Sequence, residues 1–167
     1  SILRGKNRRV APLPDATLAR VGARLWARRR ALMGELAARA QGAFARIGRT
    51  EAPVHYTYAP AKLLALDFAA ATEESLQHAL ADALAQRLPR DLERGYTSVG
   101  PHVDDLELSM GAHAARAFAS QGQSRALVLA WKVAEIENLH AHAGFLPLLL
   151  LDDVSSELDP ERNAFLM

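Results

Sequence analysis

The chain of 167 residues contains no cysteine. Disulfide scaffolds, thiol nucleophiles and cysteine-ligated zinc are therefore excluded. Aromatic residues make up 6% of the chain, and much of its 50% hydrophobic share is alanine. The core is expected to be lean and helix-rich. No run of about 18 apolar residues occurs, so no membrane-spanning helix is expected. The opening Ser1-Ile2-Leu3-Arg4-Gly5-Lys6 has neither an apolar signal region nor a cleavage site. Gly-x-x-x-x-Gly-Lys-Ser/Thr is absent too, so the chain has no phosphate-cradling P-loop of its own. A soluble, cytoplasmic protein is the expectation.

What is present is unevenly distributed. The net charge of +1 hides 12 Lys/Arg against 2 Asp/Glu in residues 1–50, and 8 against 17 in residues 51–167. Such a split suggests a basic surface for phosphate-rich partners beside an acidic half able to handle metal. A solvated, arginine-rich helix face explains the first half equally well.

Periodicity outlines the elements. A long helix is predicted from Asp15, with Asp15 or Thr17 as N-cap. Its apolar stripe is Leu18, Val21, Leu25, Leu32, Leu36 and Ile47, widened by Trp26, Met33 and Phe44. Arg20, Arg24 and Arg28 follow it on successive turns, with Arg29 and Arg30 close by. Residues 52–59 read as a strand in which Val54, Tyr56 and Tyr58 alternate with His55 and Thr57, leaving His55 on the polar face. A second helix is expected from Thr72 to about Leu88, ended by Pro89. Two short extended pieces are expected around Gly100-Pro101, then a turn at Gly111. A helix from about Gly122 to Ala141 shows Leu127, Ala130, Trp131, Ala134 and Leu139 in a helical spacing. Asp159-Pro160 opens a last helix, and the chain stops within it at Met167.

Three segments could carry chemistry. Leu148-Leu149-Leu150-Leu151-Asp152-Asp153 reads as a strand buried on both faces of a parallel sheet, with two acids at its carboxyl end. One acid there can hold hydrated Mg²⁺ on nucleotide phosphates, and its neighbour can orient or deprotonate water. A buried strand capped by solvated acids explains the same residues. Next, Ser156-Glu157-Leu158-Asp159 reads either as part of a nucleotide site or as a helix entry capped by Asp159. Upstream, Ser120-Gln121-Gly122-Gln123 lies at a helix N-terminus, where backbone amides and a hydroxyl suit phosphate oxygens. An ordinary helix cap would look the same. His102 lies near Asp104 and Asp105, and a hydrogen-bonding role is favoured over a metal-binding one.

The order of these segments resembles the second half of an ABC-type ATPase head. Its signature is usually Leu-Ser-Gly-Gly-Gln; here Ala119 replaces the leucine and Gln121 the first glycine, while Ser120, Gly122 and Gln123 match. Asp153 stands where a glutamate is usual. Within that family the chain is similar to the RecF branch of bacterial DNA-repair ATPases. The likeness rests on Ser120-Gln121-Gly122-Gln123 with Arg125, Gly100-Pro101-His102-x-Asp104-Asp105-Leu106, Lys132-Val133-Ala134-Glu135 and Leu150-Leu151-Asp152-Asp153-Val154. It is specific over residues 95–167 and holds only in outline before them.

The resemblance implies an α/β fold: a partial ABC-type head without its P-loop lobe (95–167) and a helix-rich second domain (1–94). It implies ATP bound by Ser120, Gln121, Gly122, Gln123, Ser156 and Asp159, Mg²⁺ held by Asp152, and Asp153 as the catalytic acid. It further implies an ATP-dependent homodimer that binds double-stranded DNA at gaps and supports recombination-mediator loading through RecR with RecO. Arg28, Arg29 and Arg30 are the expected DNA contacts. The chain alone should not hydrolyse ATP. Two other readings stay open: another ABC head of the SMC, RecN or Rad50 type, and a non-enzymatic helical interaction module with a degenerate ATPase remnant.

Overall fold

A computed structural model describes residues 15–48, 52–60 and 66–150. The fold is mixed α/β and mostly helical, with one small antiparallel sheet. Its helices are α1 (Asp15–Ile47), α2 (Glu73–Arg94), α3 (Ala115–Phe118) and α4 (Gln121–Ala143), and its strands are β1 (Val54–Ala59), β2 (Asp105–Met110) and β3 (His113–Ala114). No helix among the described residues is long and apolar enough to cross a membrane. The chain divides into two compact units, Ser1–Ala27 with Pro60–Val103, and Arg28–Ala59 with Asp104–Met167.

In the first unit, α1 buries Ala19, Ala23 and Trp26, and α2 buries Leu76, Leu80, Ala83 and Leu84. The leucine and valine stripe expected at 18, 21 and 25 is instead exposed. Small residues let helices approach closely, so alanines and glycine face the core while Trp26 fills the remaining volume. Its ring meets Phe68 edge-on at 6.0 Å. Gly22 is the closest approach: a Cβ there would lie 2.4 Å from Leu80 Cδ2.

Helix α2 starts where the sequence places it. The Thr72 hydroxyl caps the Ser75 amide at 3.1 Å, and Glu73 and Glu74 occupy the positive end of the helix dipole. Pro89 does not end it, and the helix runs one turn further to Arg94. That turn is fixed from beyond. Gly95 takes the left-handed conformation (φ 77°) and donates its amide to the Asp91 carbonyl at 2.8 Å. The nearly buried Asp91 carboxylate accepts the Ser98 amide at 3.0 Å, a bond that holds its pKa below the ordinary carboxylate value. These contacts offset the helical hydrogen bond that proline removes. The extended piece expected before Gly100 is absent as well. Residues 97–100 form no strand, and Pro101–Val103 is a single 3-10 turn. His102 Nε2 bonds the Thr97 carbonyl at 2.8 Å across it, the hydrogen-bonding role expected for this residue.

In the second unit, β1 pairs antiparallel with β2, placing Val54 opposite Met110, Tyr56 opposite Leu108 and Tyr58 opposite Leu106. The inner face carries these residues, while His55, Thr57 and Glu107 point outward. Gly111 makes the turn into the two-residue β3. One core joins Leu36, Ala40, Phe44 and Ile47 of α1, Val54 and Tyr56 of β1, and Leu127, Ala130 and Ala134 of α4.

The apolar run before Asp152 departs from expectation. Residues 146–150 have no regular structure and lie outside the sheet, and Leu148 and Leu150 are 85% and 84% exposed. A strand forms only where another strand satisfies its amides and carbonyls. Among the described residues none runs beside it.

Two glycines of α1 test this packing against helix propensity. Gly34→Ala, which meets nothing within 4 Å, should stabilise the chain by up to about 1 kcal/mol. Gly22→Ala should destabilise by about 1 kcal/mol and Gly22→Val by about 2–3 kcal/mol, because Leu80 is buried and cannot retreat. Urea unfolding of the three variants checks this. Equal stabilisation by both alanines would contradict the close approach.

Candidate functional site

The N-terminus of α4 is built by the chain that leads into it. The β2–β3 hairpin runs directly into α3, a single turn whose buried Ala115 accepts the Ala119 amide at 2.9 Å. Ser120 follows in extended conformation (φ −62°, ψ 164°) as the N-cap of α4. Its Oγ accepts the Gln123 amide at 3.2 Å, and Gln123 Oε1 accepts the Ser120 amide at 2.8 Å. This reciprocal capping box makes the turn rigid without a ligand. It also decides which donors stay available. The Gln121 and Gly122 amides belong to the first turn and have no helical acceptor. The Ser120 hydroxyl still has its proton to give. Three donors therefore sit at the positive end of a 23-residue helix, an arrangement suited to phosphate oxygens.

What fixes α4 against the sheet is a buried tyrosine. Tyr56 donates its hydroxyl to the Leu127 carbonyl at 3.0 Å, and its ring stacks on Trp131 with centroids 5.4 Å apart. Leu127 lies about 10 Å along the axis from Ser120. Trp131 Nε1 in turn donates to Glu135 Oε1 at 2.8 Å, and Lys132 pairs with the same carboxylate at 2.8 Å. Burial pushes the Tyr56 phenol well above its usual range, so it remains a donor across the physiological pH range.

A second buried network lies at the edge of the sheet. The Asp104 side chain is 1% exposed and accepts the Tyr58 hydroxyl at Oδ2. Arg29 Nη1 approaches Tyr58 Oη at 3.5 Å and Asp104 Oδ2 at 3.7 Å. Tyr58 is pushed up to about 12. Burial is the main cause and the Asp104 charge adds to it, while Arg29 opposes both.

These networks sort the residues expected from sequence. Ser120, Gln121, Gly122 and Gln123 form one turn, as expected for a helix entry. Asp152, Asp153, Ser156 and Asp159 lie outside the described residues. Arg29, one of the three arginines expected at the DNA, lies against Asp104 and Tyr58 with 39% of its side chain exposed. Arg20, Arg24 and Arg28 are exposed. Among the described residues, no group of three or more His, Asp or Glu side chains could hold a metal ion. Sequence reasoning did not single out Tyr56, Tyr58 or Asp104 as anchors. The strand alternation put both tyrosines on the inner face, but the pairing of β1 with β2 is what brings Tyr58 to Asp104, and the packing of α4 on the sheet is what brings Tyr56 to the Leu127 carbonyl.

No protein-family model matches the chain. Curated relatives do. Over 153 residues it is 66% identical to the DNA replication and repair protein RecF of Myxococcus xanthus, covering 92% of this chain and 40% of that protein. The chain is a RecF homologue. The RecF of Anaeromyxobacter sp. (strain Fw109-5) is 52% identical over 166 residues, covering 99% of this chain and 44% of its own length. A solved structure of the recombination mediator protein RecF with ATP, in the RecFOR pathway, superposes with a TM-score of 0.78 at 29% identity, over 98% of this chain and 42% of that one. The chain thus spans 40–44% of the length of these RecF proteins.

The Tyr58 network has a pH signature. A phenol held protonated in the fold stabilises it fully below the unfolded value of 10, and that contribution is lost as pH rises through about 12. Tyr58→Phe should remove part of the stability loss across this alkaline window. At neutral pH it should destabilise by about 1–3 kcal/mol, since Asp104 then lacks its hydroxyl donor. Thermal melts and phenolate absorbance against pH read both effects. An unchanged alkaline profile would contradict the assignment.

Proposed function

We propose that this chain supplies the signature side of a RecF-type ATPase site. In this reading the Ser120 turn contacts the γ-phosphate of ATP held by the P-loop of another polypeptide. The hydroxyl of Ser120 and the amides of Gln121 and Gly122 are the donors, and Gln123 fixes the turn. Asp152 supports Mg²⁺ and Asp153 positions the attacking water, while Ser156 and Asp159 face the second subunit. Residues 95–167 then form part of the head and residues 1–94 the helical second domain. ATP bridges two helix N-termini, so dimerisation depends on the γ-phosphate and is lost on hydrolysis.

One observation carries the reading: the capped turn keeps two amides and a hydroxyl available in a chain 66% identical to a RecF protein. The cellular role follows from the same likeness. The dimer binds double-stranded DNA at gaps and supports recombination-mediator loading with RecR and RecO. Exposed Arg20, Arg24 and Arg28 fit phosphate contacts, which would make the binding salt-dependent.

The test is reconstitution. This chain alone should show no ATP turnover, and mixing it with a separately expressed P-loop half should restore turnover that duplex DNA stimulates. Asp153→Asn should lower the restored rate by about 100-fold or more. Robust hydrolysis by the chain alone would overturn the proposal, and so would absence of turnover from folded, associated halves.

A further inference from the structure

The chain passes from one unit to the other three times, after Ala27, after Ala59 and after Val103. Inside the second unit, the Arg29–Tyr58–Asp104 network stands at all three passages. Arg29 is the second residue beyond the first, Tyr58 the residue before Ala59, and Asp104 the first residue beyond the third. The Tyr58 hydroxyl donates to Asp104 Oδ2, and Arg29 Nη1 lies 3.7 Å from the same oxygen. Three stretches of chain distant in sequence are thus tied at one buried carboxylate.

The sheet brings two of the passages together. Ala59 pairs with Asp105 and Tyr58 with Leu106 at the end of the β1–β2 ladder, so residues 60–103 leave and re-enter the second unit at one place. Holding the ends of so long an excursion together removes a closure entropy that the first unit would otherwise offset with its own contacts. That unit has a lean core: alanines with Trp26, Leu76, Leu80, Leu84 and Val99. Its remaining stretch arrives on α1, outside the ladder. Arg29 is what ties α1 to the closed end, through its approach to Tyr58 of β1 and to Asp104 ahead of β2. Electrostatics makes the three residues act together. A carboxylate 1% exposed is strongly unfavourable as an anion unless a donor and a cation lie beside it, so loss of either one weakens the whole tie.

We propose that the Arg29–Tyr58–Asp104 cluster is a latch that couples the opening of the two units. With the latch closed, the first unit opens only when the second does; with it broken, the first unit opens alone. Exposed Arg20 and Arg24 belong to the first unit and the Ser120 turn to the second, so the latch decides whether the basic surface can loosen while that turn stays ordered. The cluster includes neither the Ser120 turn nor Asp152 and Asp153, so this inference stands apart from the proposed ATPase role.

Hydrogen exchange of the whole chain across a urea series reads the two units separately, through the slowest amides of α2 in the first and of α4 in the second. In the unaltered chain the two sets should share one opening transition, with protection equal within about threefold. Tyr58→Phe and Arg29→Met each keep most of the side-chain bulk. Each should lower the protection of α2 at least about tenfold more than that of α4. Tyr56→Phe is the comparison, because it deletes a buried hydroxyl of the second unit that bonds α4 and not the latch. It should lower both sets alike. An unaltered chain in which α2 already opens apart from α4 would overturn the proposal. So would either latch variant lowering α4 as much as α2 or more, which would make the cluster an ordinary stabilising contact of the second unit.

Discussion

One buried hydrogen bond organises the second unit: the Tyr56 hydroxyl on the Leu127 carbonyl of α4. It links a strand to a helix 71 positions later in the chain. A polar group buried without a partner is unfavourable, so the contact fixes the rotation and height of α4 on the sheet as well as its proximity. The Trp131 ring beneath Tyr56 restricts the same motion from the next turn. Everything at the amino end of α4, including the Ser120 turn, takes its position from that attachment. The turn is then held locally by its own capping box. A phosphate would meet donors already oriented.

The Gly100–Leu106 segment distributes its polar residues by the same principle. His102 bridges back to Thr97, Asp104 turns inward to Tyr58 and Arg29, and Asp105 turns outward to cap an edge amide. Three adjacent chemical candidates thus have three separate structural tasks, and none assembles a metal site among the described residues. Their close spacing suits a short connection that must leave a helical region and enter a strand within a few residues. In the proposed function, phosphate contacts fall instead to the loop at Ser120, which carries no acid.

Much of this was legible beforehand where a local rule decides structure. The long first helix, the β1 alternation with His55 outward, the Gly111 turn and the entry of α4 at Ser120 each follow from periodicity or capping. The stripe of α1 misled because side-chain size was weighted over closeness of approach: Ala19, Gly22 and Ala23 face the core, and Leu18, Val21 and Leu25 do not. Pro89 misled because Gly95 and Asp91 lie downstream and hold the turn from there. The run before Asp152 reads as a strand in isolation, but pairing is not a property of one segment. The Tyr56 and Tyr58 anchors depend on partners 71 and 46 residues away, beyond any local pattern.

The most direct test of the attachment is Tyr56→Phe, which keeps the ring on Trp131 and deletes only the hydroxyl. Hydrogen exchange of the α4 amides and urea unfolding should be measured together. Loss of about 1 kcal/mol of stability, with faster exchange at the Ser120–Arg125 end of α4, is the predicted result. Unchanged stability and unchanged exchange at that end would show that the Tyr56 hydroxyl does not hold the helix, and the dependence of the Ser120 turn on it would be refuted.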